Sequence, residues 1–394
     1  MDIAAAAPLP DDELQAWLRL LACKGIGRTS ARRLLASLGS AQAVFDANAS
    51  AWRTVVGPIQ AAALAQLPEG HAQRVAATRA WLQAAEHRRV MVLGDVDYPA
   101  LLLNTADPPL LLYLWGRAEL LARPSVAVVG SRSPTPQGRD NARQFAAGLV
   151  RSGWTVVSGL ARGIDGAAHE GALEAAAQRP PDQASGASTI AVVGTGIDIV
   201  YPLAHRALCQ RVVAGGLLVS EWPLGTPPLP ENFPQRNRII AGLTRGTLVV
   251  EAALRSGSLI TARLAAEAGR EVMVIPGSIL SAQAQGGHAL IRQGAALVGS
   301  VEQVLQELSM PASAEAGGSA AVPEPGSPAE GEVDSSQHKD PVLQALGADP
   351  CSLDALMARC GWPAADLNAQ LLTLELLGHV ARLPGGLYQR TGRG

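Results

Sequence analysis

Lysine is nearly missing from this chain: Lys24 and Lys339 are the only two among 394 residues, so almost all positive charge is arginine. Formal net charge is −2, which speaks against a protein that coats duplex DNA through bulk charge but leaves room for a local cationic groove. Arginine brings a planar fork and a stacking face that lysine lacks. Cysteine is sparse too. Cys23, Cys209, Cys351 and Cys360 are scattered without CxxC spacing, which argues against a disulfide framework or a zinc site and suits small buried residues. No run of eighteen uncharged apolar residues occurs, and no basic start leads into an apolar stretch. The expectation is a soluble, cytoplasmic protein without membrane association, metal or cofactor. Several enzyme signatures are also lacking: there is no GxxxxGK[ST], no HExxH, no GxSxG and no local Cys/His pairing that nominates a nucleophile. Gly194-Thr195-Gly196 begins like a dinucleotide-binding fingerprint, but Ile199 stands where its third glycine belongs.

What is present suffices for two or three domains, since 48% of the residues are hydrophobic. From Asp11 to about Arg88 the pattern is helical and rich in Ala and Leu. Within it, Lys24-Gly25-Ile26-Gly27-Arg28 resembles the turn of a helix-hairpin-helix or SAM-like unit. Glycines there let backbone N–H groups approach a phosphate, and Lys24, Arg28, Arg32 and Arg33 surround the turn without an intervening acid. An ordinary helix connection with a solvated basic face accounts for the same residues.

At Val90 the periodicity changes. Two short strands, 90–93 and 110–113, precede a regular alternation of strand and helix that signals a doubly wound, mostly parallel α/β sheet. Strands are expected at Val126–Val129, Thr155–Ser158, Thr189–Val193, Leu217–Ser220, Thr247–Val250 and Glu271–Ile275. The Pro/Gly/Ser-rich segment Gln178–Ala187 reads as a surface excursion. The loop after each strand is informative, because ligands of such sheets sit outside the strands' carboxyl ends. The successive loops carry Gly130-Ser131-Arg132, then Ser158-Gly159 through Arg162-Gly163, then Gly194 and Gly196. After these come a proline-laden loop with Phe233, Arg236, Asn237 and Arg238, and a helix start at Ser256-Gly257-Ser258. Glycine turns entering helices are anion sites, and arginines add charge-assisted contacts. Phe233 beside guanidinium groups suits a base stacked over a phosphate; a core plug with paired arginines is the plainer reading. Asp165 and His169, one turn apart, form either an acid–base pair or a helix cap and a wall residue.

Residues 311–337 are rich in Pro, Gly, Ser, Ala and Glu and read as a disordered linker. Beyond it, three helices (Pro341–Leu346, Ser352–Ala358, Pro363–Leu377) and a hairpin around Pro384-Gly385 make a winged helix. Its third helix has only Asp366 and Glu375 as charged residues, so it suits a protein partner or a regulatory role better than DNA reading.

Taken together, Val129-Gly130-Ser131-Arg132, Val157 through Asp165, Phe233-Pro234-Gln235-Arg236-Asn237-Arg238 continuing through Ile239 to Gly242, and Ser256-Gly257-Ser258 through Ala262 resemble the DNA-processing protein A (DprA/Smf) family. The resemblance implies an extended Rossmann-like sheet (89–310) between a helical SAM-like domain (1–88) and a winged helix (338–394). It implies a homodimer without catalytic activity that binds single-stranded DNA, protects incoming strands and loads the RecA recombinase on them during natural transformation. It places phosphate contacts on Gly130, Ser131, Arg132, Ser158, Gly159, Arg162 and Gly163, and on the segment with Phe233, Arg236 and Arg238. The competing class is a phosphoribohydrolase-like nucleotide-processing enzyme, whose PGGxGTxxE motif survives here only as Pro276-Gly277. For the dimer, Leu290-Ile291 and Ala295 to Val298 offer an apolar sheet edge, which the helix over 301–308 covers if no partner does.

Overall fold

A computed structural model describes residues 9–180, 186–309, 340–346 and 350–391. The expected linker and the middle of the 178–187 excursion lie outside the described residues.

Six helices open the chain: α1 (Asp11–Ala22), α2 (Arg28–Leu38), α3 (Ala41–Asp46), α4 (Ala49–Val55), α5 (Pro58–Leu64) and α6 (His71–Gln83). Asp11, Asp12 and Glu13 occupy the first turn of α1, where the helix dipole favours negative charge. Ser40 and Asn48 cap α3 and α4 by accepting the N–H groups of Ala43 and Ala51. Between α1 and α2 the chain turns through Gly25 at φ +78°, a left-handed conformation in which a Cβ would be strained. The apolar faces of these helices share one core with Val90, Val92, Leu111, Tyr113 and Leu218 of the sheet. The helices are therefore docked on the sheet rather than held apart from it.

The sheet has nine strands in the order β1-β2-β6-β5-β4-β3-β7-β8-β9. They are β1 (Arg88–Val92), β2 (Leu111–Gly116), β3 (Ser125–Val129), β4 (Thr155–Ser158), β5 (Thr189–Val193), β6 (Leu217–Ser220), β7 (Gly246–Val249), β8 (Glu271–Val274) and β9 (Ala296–Leu297). β1 pairs antiparallel with β2, and β2 with β6; from β6 to β9 every pairing is parallel. The expected extended, doubly wound sheet is thus present, and the two short early strands are its antiparallel edge. Strands β3 to β6 are wholly buried, as their unbroken apolar runs demand when helices cover both faces. One face carries α8 (Pro136–Arg151), α9 (Ile164–Ala177) and α14 (Val301–Ser309), and the other carries α11 (Asn232–Leu243) and α12 (Ser258–Glu267). Short α7 (Ala100–Leu103) and helices α10 (Arg206–Gly215) and α13 (Gln285–Arg292) complete this part of the chain.

β3 has β4 on one side and β7 on the other, so the strand order reverses there. At such a switch point the flanking loops part and leave a crevice outside the carboxyl ends.

The C-terminal part has α15 (Pro341–Leu346), β10 (Cys351–Ser352), α16 (Leu353–Cys360), α17 (Ala364–Leu376), β11 (Val380–Leu383) and β12 (Leu387–Arg390). Leu356, Leu367, Leu371 and Leu374 build a core of its own. Its three strands run in the order β10-β12-β11, and the hairpin turns through Gly385 and Gly386, both at positive φ. This is the expected winged helix. One refinement is that Ser352 does not begin a helix but caps α16, accepting the N–H of Ala355. All four cysteines are free; three are buried and Cys360 is half-buried.

Candidate nucleic-acid interface

A cleft of about 560 Å³ opens at the switch point, lined by the end of β3, the start of α11 and the start of α12. Gly130, Ser131 and Arg132 form one wall. The turn they make is pinned from below: the Ser131 N–H donates to the Glu251 carbonyl at 2.7 Å, and the Ile164 N–H donates to the Ser131 carbonyl at 3.1 Å. A side chain on Gly130 would meet that same Glu251 carbonyl at 2.7 Å, so glycine is required by packing. Arg132 is left exposed, reaching only across the Phe233 ring at 5.8 Å. Opposite it, Ser256 and Ser258 share a hydroxyl hydrogen bond of 2.7 Å at the N-terminus of α12, and Gly257 between them has open space around it. Exposed Arg255 precedes them on the cleft wall. Among the described residues Asp165 is the only carboxylate on the lining, against the three cations Arg132, Arg236 and Arg255.

The turn after β4 behaves differently from its sequence-based expectation. Gly159 and Ala161 donate their N–H groups to the Asp165 carboxylate at 3.1 and 3.3 Å, and Leu160 donates to His169 Nε2 at 3.3 Å. All three amides therefore point inward, and none is free for a phosphate. Ser158 is likewise fully buried, its hydroxyl donating to the Val128 carbonyl at 2.7 Å. The physical reason is the buried acid and imidazole at the start of α9, which satisfy these donors themselves. His169 is neutral. Its Nε2 accepts from Leu160, while Thr189 Oγ1 donates to the Val156 carbonyl and so accepts from Nδ1–H at 2.7 Å. Burial, with His205 and Arg236 nearby, pushes its pKa down to about 3. Asp165 is pushed up by burial, against the opposing pull of Arg236. His169 is sealed from solvent, and Asp165 meets the cleft with only 8% of its surface exposed. From this segment Arg162 projects into solvent outside the cleft lining, and Gly163 lets the turn approach Ser131, whose carbonyl would lie 2.3 Å from a Cβ.

The stretch from Phe233 to Arg238 is not a loop but the first turns of α11. Helical spacing distributes its side chains over different faces. Phe233 and Asn237 face the cleft, and Asn237 Nδ2 donates to the Gly257 carbonyl at 3.4 Å, tying the starts of α11 and α12 together. Arg236 dives under the floor, only 4% exposed, and donates to the Val192 carbonyl at 2.5 Å. Burial lowers its pKa to about 10 while Asp165 holds it up, so it stays charged at neutral pH. Arg238 points away from the cleft. Its Nη2 bonds both carboxylate oxygens of Glu221, at 2.5 and 2.6 Å, and its Nε lies 3.4 Å from Asp107. Gly194 and Gly196 do not line the cleft. A Cβ on Gly194 would sit 3.0 Å from the Phe233 ring, and the Gly196 N–H donates to the Thr226 carbonyl at 2.9 Å.

Sequence reasoning missed Arg255, which is adjacent to the Ser256-Gly257-Ser258 motif and carried a visible signal in its charge. It also missed Tyr201, whose ring lies 5.4 Å from that of Phe233. The basic face of the Gly25–Arg28 turn is only half free: Arg28 and Arg32 donate to Asp107 at 2.7 and 2.6 Å, while Lys24 and Arg33 stay exposed.

Comparison with known proteins gives this geometry a family. The model of DNA recombination-mediator protein A matches residues 89–309, the whole nine-stranded sheet but for the first residue of its edge strand. This chain belongs to that family. A second match, to the DprA winged helix domain, spans residues 323–386. Among relatives of the recombination-mediator family, Protein Smf of Escherichia coli is 41% identical over 319 residues, covering 79% of this chain and 80% of that protein. DNA processing protein DprA of Streptococcus pneumoniae is 47% identical over 213 residues, covering 54% of this chain and 72% of that protein. The X-ray structure of DNA processing protein A from Streptococcus pneumoniae superposes with a TM-score of 0.65 at 34% identity, covering 77% of this chain and all of that one.

Proposed function

We propose that this chain binds single-stranded DNA in the switch-point cleft, protects incoming strands, and loads the RecA recombinase on them during natural transformation and recombination. The observation that carries the DNA reading is the pair of exposed arginines, Arg132 and Arg255, on a cleft whose only carboxylate among the described residues is the buried Asp165. Neither arginine forms an ion pair among the described residues. Phosphates neutralise such guanidinium groups, and the adjoining Phe233 ring offers a base its π face. Gly130, Ser131, Asn237, Ser256 and Ser258 complete the surface as small or hydrogen-bonding groups. In this reading Gly159 and Arg236 act from beneath the site. Arg162 extends the positive field beside it, while Ser158, Gly194, Gly196 and Arg238 serve the fold. Binding is favoured over nucleotide chemistry because His169, of the acid–histidine pair nearby, is sealed from solvent with both ring nitrogens hydrogen-bonded.

Handing a strand to a recombinase calls for a longer groove than one cleft supplies, and a second copy provides it. We infer a cytoplasmic homodimer through the β9 edge of the sheet, where Leu254, Ile279, Leu280 and Leu297 are all more than half exposed. Helix α14 does share a core with Ala296 and Val298, and Leu290, Ile291 and Ala295 pack on the opposite core, so of the expected edge only Leu297 stays exposed, together with Leu254, Ile279 and Leu280. An apolar edge of this kind is stable when paired.

The test is a titration with oligonucleotides of graded length. Affinity rising with length and falling with salt is the expected result. Release of free base from a nucleoside monophosphate, without length-dependent binding, would establish the enzyme instead.

A further inference from the structure

Beside Phe233 stands a second ring that the cleft does not include. Tyr201 and Phe233 have centroids 5.4 Å apart and planes inclined by 39°. The two differ in what surrounds them. Phe233 is half-buried, backed by the Gly194 backbone and crossed by the Arg132 guanidinium at 5.8 Å. Tyr201 is 45% exposed, and no hydrogen bond is formed by its hydroxyl among the described residues. A single exposed ring is ordinary on a protein surface. This one continues a row that runs from the arginine through the first ring to the second.

The segment that holds Tyr201 is fixed at both ends. Before it, Thr195 Oγ1 donates to the Ile199 carbonyl at 2.8 Å. After it comes a short 3-10 turn, Leu203–His205, and His205 Nδ1 donates to the Leu160 carbonyl at 3.0 Å. That second bond ties the Tyr201 segment to the turn after β4, directly behind the cleft. The backbone that carries the ring is therefore held in place before any ligand arrives, which reduces the ordering cost of binding.

We propose that Tyr201 is the outer stacking platform of the strand-binding site: a nucleobase lies on its open face, and Phe233 bridges it to the arginine that grips the neighbouring phosphate. The inference rests on the proposed binding of single-stranded DNA and adds to it a residue and a direction, from the cleft outward past Phe233. Phe233 already has a guanidinium, a glycine backbone and a second ring about it. Tyr201 offers the larger open ring surface, and stacking is tolerant of base identity because every base has a π face. The hydroxyl has no part in this role, so Tyr201→Phe keeps the function and removal of the ring loses it.

The deciding experiment compares oligodeoxythymidine with an abasic strand of equal length and charge, using wild type, Tyr201→Phe, Tyr201→Ala and Tyr201→Leu. Melting temperatures establish that each variant is folded, and the leucine keeps an apolar cover over Phe233 should alanine fail to fold. Loss of the ring should weaken oligodeoxythymidine binding about 5- to 150-fold, leave the abasic strand unaffected, and leave the salt slope unchanged. Tyr201→Phe should bind both strands as wild type does. Equal losses on the two strands, or no loss on either, overturn the platform. If wild type binds neither strand, the single-strand reading fails and the platform falls with it. If wild type binds with an Arg132-dependent salt slope while ring-deleted variants bind equally well, only the platform falls.

Discussion

Arg132 and Arg236 are both arginines of motifs that mark the family, yet their surroundings assign them different tasks. Arg132 is exposed and meets only a ring, so its charge is available to a phosphate. Arg132→Ala should weaken single-strand binding strongly and reduce the slope of log affinity against log salt by about 0.7, the value for one phosphate on a single strand. An unchanged slope in a folded variant would remove Arg132 from the site. Arg236 is enclosed, and its guanidinium lies where a Cβ on Gly159 would come within 1.9 Å of Nη1. To make room, the buried guanidinium would have to give up its hydrogen bond to the Val192 carbonyl. Gly159→Ala should therefore cost about 1–3 kcal/mol of stability, as overpacking does, and should disturb the cleft floor. Urea unfolding reads the first effect and oligonucleotide titration the second; a variant as stable as wild type would show that Arg236 has another place to go.

At the scale of elements, the hairpin between α1 and α2 joins the sheet through ions from Arg28 and Arg32, while Lys24 and Arg33 stay exposed. Asp107 receives Arg28 and Arg32, lies 3.4 Å from Arg238, and Arg238 in turn holds Glu221. Three arginines and two acids from segments far apart in sequence thus close one seam. Burial on its own would raise the Asp107 pKa; the Arg32 hydrogen bond, with Arg238 and Arg28, outweighs it and holds the carboxyl below its ordinary 3.8. A carboxyl lowered by folding contributes stability that is complete above its unfolded value and is lost as pH falls through the folded one. Asp107→Asn should accordingly cost about 1 kcal/mol at pH 7, discounted for partial exposure, and the difference from wild type should shrink as pH falls below 3.8. Denaturant unfolding across that range measures it. A difference that stayed constant with pH would mean that the carboxylate charge plays no part in the seam.

Over the whole molecule, one polar cleft and one apolar edge lie on the same sheet, and the proposed dimer would join two clefts through the two edges. An isologous contact of this kind needs a self-complementary patch, and Leu297 on β9 is 56% exposed within it. Leu297→Glu should give a folded monomer that keeps Arg132-dependent contact with short oligonucleotides. It should lose tight binding to long strands and recombinase loading. Sedimentation of wild type and variant at micromolar concentration provides the check: a variant that remains dimeric excludes this patch, and a monomeric wild type excludes the dimer.

The order of strands and helices, the doubly wound sheet, the winged helix and the family were legible from the chain itself. Apolar runs of period and length suited to buried strands, separated by helical stretches, leave few packings open. The motifs also identified Gly130, Ser131 and Arg132 as one turn. What the sequence left undecided was where donors and charges point, because that depends on partners distant in sequence. The glycine turn after β4 reads as an anion site until Asp165 and His169 fold back on its amides. Arg28 and Arg32 of the hairpin read as part of a free basic face until Asp107 is brought to them across 79 and 75 residues. Phe233, Arg236 and Arg238 read as one cluster until the helical turn of α11 sends them to cleft, floor and seam. Local chemistry is written residue by residue. Which of those groups remain free for a ligand is decided only when the tertiary structure has satisfied all the others.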